Sequence, residues 1–324
     1  MDLLRFGLHA RGLARTCYLG KLESMQRRTF LKSALAAPLA LGARPAALSG
    51  AKLTDSFSFI HFTDTHIQPE LHAGEGATRA FRSIARISHD FALAGGDLVM
   101  DVFEHGQARA TALFDLYRNT AKDLPRPVHS ILGNHDIYGI SNKAGVASSD
   151  PLYAKKLFED RMGQPRYQSF DHKGWHFILL DSVQIGPEKN WFGRIDDEQL
   201  DWLAADLRKA GKQSPIVVLT HMPLASATGQ FFGGKSDALQ TLLITNPRAV
   251  LDLFEGYKLK AVLQGHTHVR EVVDYNGCHY LTPGAVCGNW WKGAFKGSPE
   301  GFAVFTAKGE NLSWEFRSYG WQAA

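Results

Sequence analysis

Cysteine is scarce in this chain of 324 residues, with three in all and only Cys278 and Cys287 beyond the N-terminal segment. Two cysteines cannot form a disulfide-stapled scaffold. They flank Pro283-Gly284, so a hairpin could bring them together in an oxidising compartment, but we favour two buried free thiols. The sequence also lacks internal repeats and low-complexity linkers beyond its N-terminal segment, and its length suffices for one large core or two smaller ones.

A strongly basic composition is missing outside the N-terminal segment. The whole chain carries 36 Lys and Arg against 32 Asp and Glu, a net charge of +4. Residues 1–50 hold eight Lys and Arg but only two acidic residues, so their net charge is +6 and that of the remainder is −2. This distribution does not indicate a nucleic-acid-binding surface, and we expect no nucleic-acid polymer as a partner.

The N-terminal segment lacks an apolar run long enough to anchor it in a bilayer. Its run at residues 33–41 is too short and too rich in alanine to span one. This run follows a paired arginine, an apolar residue and a lysine within Arg27–Lys32, and small residues come after it. The pattern resembles a bacterial twin-arginine export signal, which implies recognition by the twin-arginine export machinery and a periplasmic or otherwise exported location.

This leader hypothesis sets the expected domain boundaries. The alternative, an amphipathic helix of the globular domain, is disfavoured by two prolines in the same stretch. We therefore predict a leader at residues 1–50 and one globular domain at residues 51–324. Because Met25 lies just before the arginine pair, we interpret residues 1–24 as a start-site artefact.

Apolar, β-forming runs alternate with helix-like segments through residue 265, and the tail is rich in strand patterns. The predicted strands are residues 57–62, 91–94, 128–132, 167–170, 175–180, 216–219, 259–263, 269–275, 279–282, 301–306 and 312–317. The predicted helices are residues 77–88, 104–124, 151–162, 196–210 and 247–254. This alternation predicts one α/β domain with helices outside a central sheet region.

The third predicted strand leads into Gly133-Asn134-His135-Asp136, with an amide, an imidazole and a carboxylate in a row. Successive side chains on an extended backbone point in opposite directions, so these three cannot all be satisfied core residues. They fit a loop at the end of a strand better, where glycine permits a tight turn and polar groups converge.

Five of the apolar runs end in groups that can bind a metal ion. These groups are Asp64, His66, Asp97, Asn134, His135, His221, His266 and His268. In open α/β sheets, ligands gather beyond the carboxyl ends of the strands, so these loops meet if the strands are neighbours. The set contains no thiolate, which argues against a closed structural zinc site. It holds more donors than one ion needs, and two divalent ions sharing a carboxylate account for the number.

These motifs stand in the order found in one enzyme family. Asp64-x-His66, Gly96-Asp97, Gly133-Asn134-His135-Asp136, His221 and Gly265-His266-x-His268 resemble the calcineurin-like metallophosphoesterases. The spacing is similar to that of the class III cyclic-nucleotide phosphodiesterase branch. The resemblance spans residues 57–268 and implies an α/β fold, a four-layer α/β/β/α sandwich with two central, mostly mixed β-sheets and a dinuclear metal centre at one edge.

The resemblance also implies a role for each motif residue. The implied ligands are Asp64, His66 and His268 for one ion, Asn134, His221 and His266 for the other, and Asp97 as the bridge. His135 would assist the departing oxygen rather than bind metal, and Asp136 would hold and polarise His135. A hydroxide shared by the two ions would attack phosphorus.

At one position the residue type differs from that found in another branch of the same superfamily. Purple acid phosphatases have a tyrosine three residues after the bridging aspartate, and here that position is Met100. We therefore expect no tyrosinate–iron(III) colour and two divalent ions. Manganese, iron(II) and zinc all suit nitrogen and oxygen ligands.

The substrate-binding candidates lie in a glycine-flanked loop after the last motif. Trp290, Trp291 and Lys292 could stack a base, a sugar or a lipid head group and contact its phosphate. The alternative is a core tryptophan with an exposed neighbour. Asp101, just after the Gly96-Asp97 motif, is interpreted as a solvated loop carboxylate.

The sequence thus predicts an exported, dinuclear, metal-dependent phosphoesterase acting on a small-molecule phosphodiester or phosphomonoester. One alternative is a non-catalytic binding or scaffold protein on a phosphoesterase fold. Another is a dinuclear hydrolase of amides or lactones, although the dense His-x-His-x-Asp-His cluster of the metallo-β-lactamase fold is absent from the sequence.

Overall fold

The computed structural model describes residues 56–124, 127–232 and 239–323. The predicted leader at residues 1–50, with its arginine pair, lies outside the described residues. No helix in the described part of the chain is both long enough and apolar enough to cross a membrane. Cys278 and Cys287 are free, buried thiols, as expected.

Strands and helices alternate at the start of the described chain, and strands dominate its end. The strands are β1 (Phe57–Phe62), β2 (Phe91–Ala94), β3 (Val128–Ser130), β4 (Gln168–His172), β5 (Trp175–Leu179), β6 (Val183–Ile185), β7 (Trp191–Gly193), β8 (Pro215–Leu219), β9 (Lys258–Leu263), β10 (Arg270–Tyr275), β11 (Cys278–Pro283), β12 (Gly301–Lys308) and β13 (Asn311–Ser318). The helices are α1 (Ala73–Ala85), α2 (Gln107–Ala121), α3 (Lys156–Met162), α4 (Asp197–Ala210), α5 (Thr228–Phe232), α6 (Leu239–Leu242) and α7 (Pro247–Leu253).

Two mixed sheets form the centre of the domain. One has the strand order β13-β12-β1-β2-β3, and the other has the order β10-β11-β9-β8-β5-β4. Strands β1, β2 and β3 are parallel neighbours in the first sheet. In the second sheet β5, β8, β9 and β11 are parallel, whereas the edge strands β4 and β10 are antiparallel to their neighbours. Strands β6 and β7 form a separate hairpin.

Alternation along β1 shows why the sheets are sandwiched between helices. Phe59 points toward the second sheet, and its ring stacks on Phe91 of the neighbouring strand β2 at 5.3 Å and meets the edge of Phe177 on β5 of the second sheet at 5.3 Å. Phe62 points to the opposite face, where its ring lies 5.3 Å from that of Phe81 on α1. Both faces of the sheet are therefore buried. The expected four-layer α/β/β/α architecture is confirmed.

Helix α4 covers the outer face of the second sheet. Its N-terminus is capped by Asp196, whose side chain accepts a hydrogen bond from the Gln199 N–H at 2.9 Å. Leu203 and Leu207 are buried on the side that faces the sheet. This helix matches the predicted one, because its cap and its apolar stripe are both local features of the sequence.

The predicted helix at 151–162 is wrong in its first half, since α3 begins only at Lys156. The backbone before Lys156 forms hydrogen bonds other than those of a helix. Tyr138 and Ala154 exchange N–H···O hydrogen bonds at 2.8 and 3.0 Å. The Asp150 carboxylate also accepts the N–H of Leu152 at 2.8 Å. These bonds hold the segment in turns against the loop after β3.

A histidine between two carboxylates joins α4 to the second sheet. In the buried His176 ring, Nδ1 lies 2.6 Å from a carboxylate oxygen of Asp171, and Nε2 lies 2.9 Å from one of Asp206. Both ring nitrogens donate only when the imidazole is protonated. Burial opposes the charge, but the bonds to Asp206 and Asp171 outweigh it and raise the pKa of His176.

Replacing His176 by Asn is expected to reduce stability more at pH 6 than at pH 9. The raised pKa means that the stabilisation is fully present below the unfolded-state pKa and disappears as the pH rises through the folded-state pKa. Hydrogen bonds to charged groups contribute about 1.5–3 kcal/mol. Urea unfolding at the two pH values measures the difference. His72→Asn, at an exposed pair with Glu75, is the control, and an equal loss for His176→Asn at both pH values would contradict the ionised bridge.

Candidate metal centre

The motif loops follow parallel strands of both sheets and meet at one edge. Asp64 follows β1 and His268 follows β9 in the other sheet, yet Asp64 Oδ1 and His268 Nε2 are 3.3 Å apart. His221 follows β8, and its ring Nε2 lies 3.2 Å from Oδ2 of Asp97, which follows β2. The convergence expected from strand-end positions is therefore present in the structure.

Most of these loops hold their functional residues in a left-handed backbone. The residues concerned and their φ angles are Asp64 at 55°, His66 at 41°, Asp97 at 50°, His266 at 70° and His268 at 57°. Non-glycine residues rarely adopt this conformation, and it persists only where the surroundings enforce it. Here the loops brace each other, since the N–H of Asp64 donates to Gly96 O at 3.0 Å and that of His66 to Asp97 O at 2.9 Å.

In the first half of the centre, two imidazole nitrogens face each other. His66 Nε2 and His268 Nε2 are 3.1 Å apart. The ring of His268 donates from Nδ1 to Gly288 O at 2.6 Å, because a carbonyl can only accept. Its Nε2 is thereby directed into the centre beside Asp64 Oδ1. The other Asp64 oxygen accepts the hydroxyl of Thr63 at 2.8 Å, which fixes the carboxylate.

The second half is built in the same way around His221. Its Nδ1 donates to Gly95 O at 2.8 Å, and its Nε2 lies 3.1 Å from the side-chain oxygen of Asn134. His266 instead donates from Nε2 to Thr241 O at 2.8 Å, which leaves Nδ1 as its available ligand atom. A backbone carbonyl thus sets the tautomer of His268, His221 and His266, as is common for metal-binding histidines.

Asp97 links the two halves through a single oxygen. Its Oδ2 lies 3.2 Å from His221 Nε2 and 3.4 Å from His66 Nε2. The other oxygen accepts the backbone N–H of His135 at 2.8 Å. A Cβ at Gly133 would overlap the Asp97 carboxylate, so glycine is required at this position. The arrangement suits a carboxylate shared between two cations.

The carboxylates of the centre are held in their ionised form, and its histidines differ in their pKa values. Burial opposes ionisation of Asp64, but the neighbouring His268 outweighs it and lowers the pKa to about 2. Burial likewise opposes ionisation of Asp97, and His221 outweighs it and lowers that pKa well below its usual range. Burial and His221 lower the pKa of His266 to about 4. Burial opposes the charge of His221, but Asp97 outweighs it and raises the pKa to about 9. Burial likewise opposes the charge of His268, and Cys287 and Asp64 outweigh it and raise that pKa. Because divalent metals bind neutral imidazoles, metal binding would release protons from these two rings.

The donor set therefore fits metal ions on structural grounds. Two closely spaced groups share Asp97, one with His66 and His135 and the other with His221 and His266. Nitrogen and oxygen donors of this kind suit manganese, iron(II) and zinc. A third group includes Cys287, whose sulfur lies 3.9 Å from His268 Nδ1, so a thiol lies beside a centre for which the motifs supply only nitrogen and oxygen.

The structure corrects the role expected for Asp136. Its carboxylate accepts the backbone N–H groups of Leu98 at 2.9 Å, Val99 at 3.1 Å and Gly133 at 2.8 Å. It therefore fixes the two loops to each other and does not hold the His135 ring. Burial and the charge of Asp97 raise the pKa of Asp136 to about 7.

Asp101 is the carboxylate that holds His135, and its interpretation as a solvated loop residue is wrong. Asp101 Oδ1 lies 2.6 Å from Nδ1 of the His135 ring. Burial of His135 opposes its charge, but Asp97 and Asp101 outweigh burial and raise the pKa of His135. The contact depends on a left-handed backbone at Asp101, with φ of 52°, which the sequence did not reveal.

The three predicted substrate-binding residues fall in different environments. Trp291 is 2% exposed and donates from Nε1 to His66 O at 3.0 Å, so it is a core residue and not a substrate contact. Trp290 is half-buried, with its ring 4.5 Å from that of His268. Lys292 is exposed. The alternative of a core tryptophan with a more exposed neighbour describes this pair better.

Sequence reasoning also missed Trp191, whose ring lies 5.5 Å from that of His266. It belongs to β7, a strand of three residues, and no motif stands near it. Tertiary packing of the β6–β7 hairpin brings it to the centre: the N–H of Thr245 donates to Gly193 O at 2.8 Å. No signal in the sequence marks this approach.

The geometry agrees with the comparison of this chain with protein families. Residues 57–270 match the family model described as calcineurin-like phosphoesterase. The chain belongs to the calcineurin-like phosphoesterase family. It is thus a phosphoric ester hydrolase of a metal-dependent family, as the motifs predicted.

Curated relatives of this phosphoesterase are named as nucleotide phosphodiesterases. A probable cyclic nucleotide phosphodiesterase of Rhodococcus erythropolis is 23% identical over 236 residues, which cover 70% of each chain. A 3′,5′-cyclic adenosine monophosphate phosphodiesterase of Haemophilus influenzae is 27% identical over 199 residues, 61% of each chain. The phosphoesterase therefore spans somewhat under two thirds of the second relative.

Solved structures show the same fold at low identity. A dimetal phosphatase from Danio rerio superposes with a TM-score of 0.59 at 16% identity, over 82% of this chain and 96% of that one. A purple acid phosphatase from yellow lupin gives a TM-score of 0.57 at 15% identity, over 82% of this chain and 52% of that one. These similarities support the fold.

Asp101→Ala is expected to lower activity, and Asp136→Ala is expected to lower stability. Asp101→Ala frees the His135 ring, so kcat falls more for phosphoesters with poor leaving groups than for activated ones. Asp136→Ala leaves backbone N–H groups buried and unsatisfied, which lowers the free energy of unfolding by about 2 kcal/mol or more.

Steady-state kinetics on both ester types, together with urea unfolding, separate the two effects. Asp101→Asn, which keeps the size of the side chain but not its charge, is the matched variant. A fully stable Asp136→Ala protein with the leaving-group dependence expected of Asp101→Ala would refute this assignment of the two carboxylates.

Proposed function

We propose that this calcineurin-like phosphoesterase uses two divalent ions to hydrolyse small-molecule phosphoesters, with phosphodiesters as the preferred class. The observation that carries the proposal is the position of Asp97 Oδ2, within 3.4 Å of imidazole nitrogens from both halves of the centre. A single ion would leave one of these halves unused.

Each ion has a distinct set of residues to hold it. One would be bound by Asp64, His66 and His268, and the set for the other is Asn134, His221 and His266. Asp97 would be common to both. When bound, the ions would lower the pKa of a coordinated water and stabilise negative charge on phosphate oxygens. The buried carboxylates and imidazoles hold the reacting groups in place at no reorganisation cost during the reaction.

His135 is positioned to act on the leaving group. Its Nδ1 is held by Asp101, and its Nε2 lies 3.9 Å from Asp97 Oδ2 at the rim of the centre. The side chain is 17% exposed, so its free nitrogen can approach a bound ester. A ring protonated at Nε2 would donate its proton to the departing oxygen.

The proposed preference of the enzyme for phosphodiesters rests on the names of its curated relatives. The first curated relatives are named as cyclic nucleotide phosphodiesterases, whose reaction opens a phosphodiester. Export by the twin-arginine route, which we also propose, argues against intracellular cyclic AMP as the main substrate. We therefore propose an extracytoplasmic diester and not an intracellular signalling nucleotide.

A panel of phosphodiesters and phosphomonoesters, assayed with manganese, iron(II) and zinc in turn, tests the proposal. We expect hydrolysis that chelation abolishes and metal restores, with two ions per chain by elemental analysis. His135→Ala should lower the rate for poor leaving groups by about 10²-fold or more and the rate for activated esters less. Metal-loaded protein inert towards the whole panel would favour the scaffold hypothesis, and equal losses for both ester types would exclude the acid role of His135.

We also propose that the protein is exported by the twin-arginine route. The support is the pattern at Arg27–Lys32 and the apolar run after it. Replacing Arg27 and Arg28 by lysines keeps the charge but removes the paired arginine, and should leave the protein in the cytoplasm. Cell fractionation and N-terminal sequencing are the measurements. A mature protein that begins upstream of Arg27, or a lysine pair without effect, would contradict the proposal.

A further inference from the structure

The exposure of the side chains shows on which side the centre opens. His66, His221 and His268 are at most 2% exposed, so they form its closed floor. His135 and His266 are partly exposed. A phosphoester must therefore reach the centre on the side of His135 and His266.

A tryptophan stands beside this opening next to the second half of the centre. The Trp191 ring lies 5.5 Å from that of His266 and is nearly perpendicular to it, at 87°. The indole is half-buried, so part of its surface is in contact with solvent. The β6–β7 hairpin that carries it is fixed by Thr245, whose N–H and hydroxyl both donate to Gly193 O at 2.8 and 2.7 Å.

A second tryptophan stands next to the first half. The half-buried Trp290 ring lies 4.5 Å from that of His268 and 6.0 Å from that of His66. Its backbone is left-handed, with φ of 47°, and a bulky residue adopts this conformation only under constraint. The constraint comes from the buried Trp291, whose N–H donates to Cys287 O at 2.7 Å. Phe295 packs edge-on against the Trp290 ring at 5.7 Å and supports it.

We propose that Trp191 and Trp290 form two walls of the substrate entrance and that they bind the nucleobase of a nucleotide-type phosphodiester. This inference rests on the proposed function, because it places the phosphate of that diester at the metal centre. Each indole lies against a histidine of a different half and is only half-buried, so both retain ring surface for a group esterified to the phosphate. An indole face can stack on any of the planar nucleobases. Removing one such contact lowers the affinity by about fivefold to 150-fold.

Two diesters with the same leaving group test the inference. Adenosine 5′-(p-nitrophenyl phosphate) carries a nucleoside where methyl p-nitrophenyl phosphate carries a methyl group, so the ratio of their kcat/KM values measures the contribution of the nucleoside. We expect the wild-type protein to favour the nucleoside diester by about tenfold or more, since stacking has that magnitude. Trp191→Leu and Trp290→Leu should each lower this ratio severalfold. Trp202→Leu, on α4 beside Tyr167, is the matched control and should leave the ratio unchanged.

A binding measurement gives a second readout on the same metal-loaded proteins. Adenosine 5′-monophosphate should quench tryptophan fluorescence at lower concentration than inorganic phosphate does, and the difference should shrink in both entrance variants. If the variants lose activity on the two diesters equally, the indoles only pack against the histidines and the inference is overturned. Wild-type protein inert to both diesters would contradict the proposed function instead. The titration then decides the inference alone, and quenching by the nucleotide no stronger than by phosphate would overturn it.

Discussion

The carboxylate of Asp97 is the constraint on which the rest of the centre depends. One of its oxygens lies between imidazoles contributed by β1 and β8, which belong to different sheets. That position requires both sheets to be stacked with the carboxyl ends of their parallel strands at one edge. The inner aromatic layer around Phe59 and Phe177 fixes the stacking. The chemistry of the site is thus a consequence of how two sheets pack.

Much of this arrangement could be predicted because it depends on local sequence. A short apolar run followed by a polar group marks the end of a strand wherever it occurs, and parallel strands deliver such ends to the same edge. Asp64, His66, Asp97, His221 and His268 were identified in this way, and the structure brings them together. Helix α4 was predicted for a similar reason, since Asp196 caps it and leucines line one face. Features that depend on a few neighbouring residues can be read from the chain.

The remaining features depend on contacts that spacing does not encode. Asp101 and Asp136 are both within a few residues of the ligands, and only the left-handed backbone at Asp101 decides which of them reaches His135. The same holds for the adjacent Trp290 and Trp291, of which one lies against the histidines and the other in the core. Trp191 was missed because its approach depends on how a three-residue strand packs against a distant helix. Backbone conformation and tertiary docking supply the missing information in each case.

The distance along the chain between the two facing imidazoles has a consequence for folding. His66 and His268 are 202 positions apart, yet their ring nitrogens are in contact. A cation held between them would close a loop of that length and restrict the unfolded chain, and long loops gain most from such closure in theory. The two free cysteines provide no covalent staple of this kind. The ion would then connect two segments that lie far apart in the sequence. Removal of the metal would therefore lower the free energy of unfolding as well as the rate of hydrolysis.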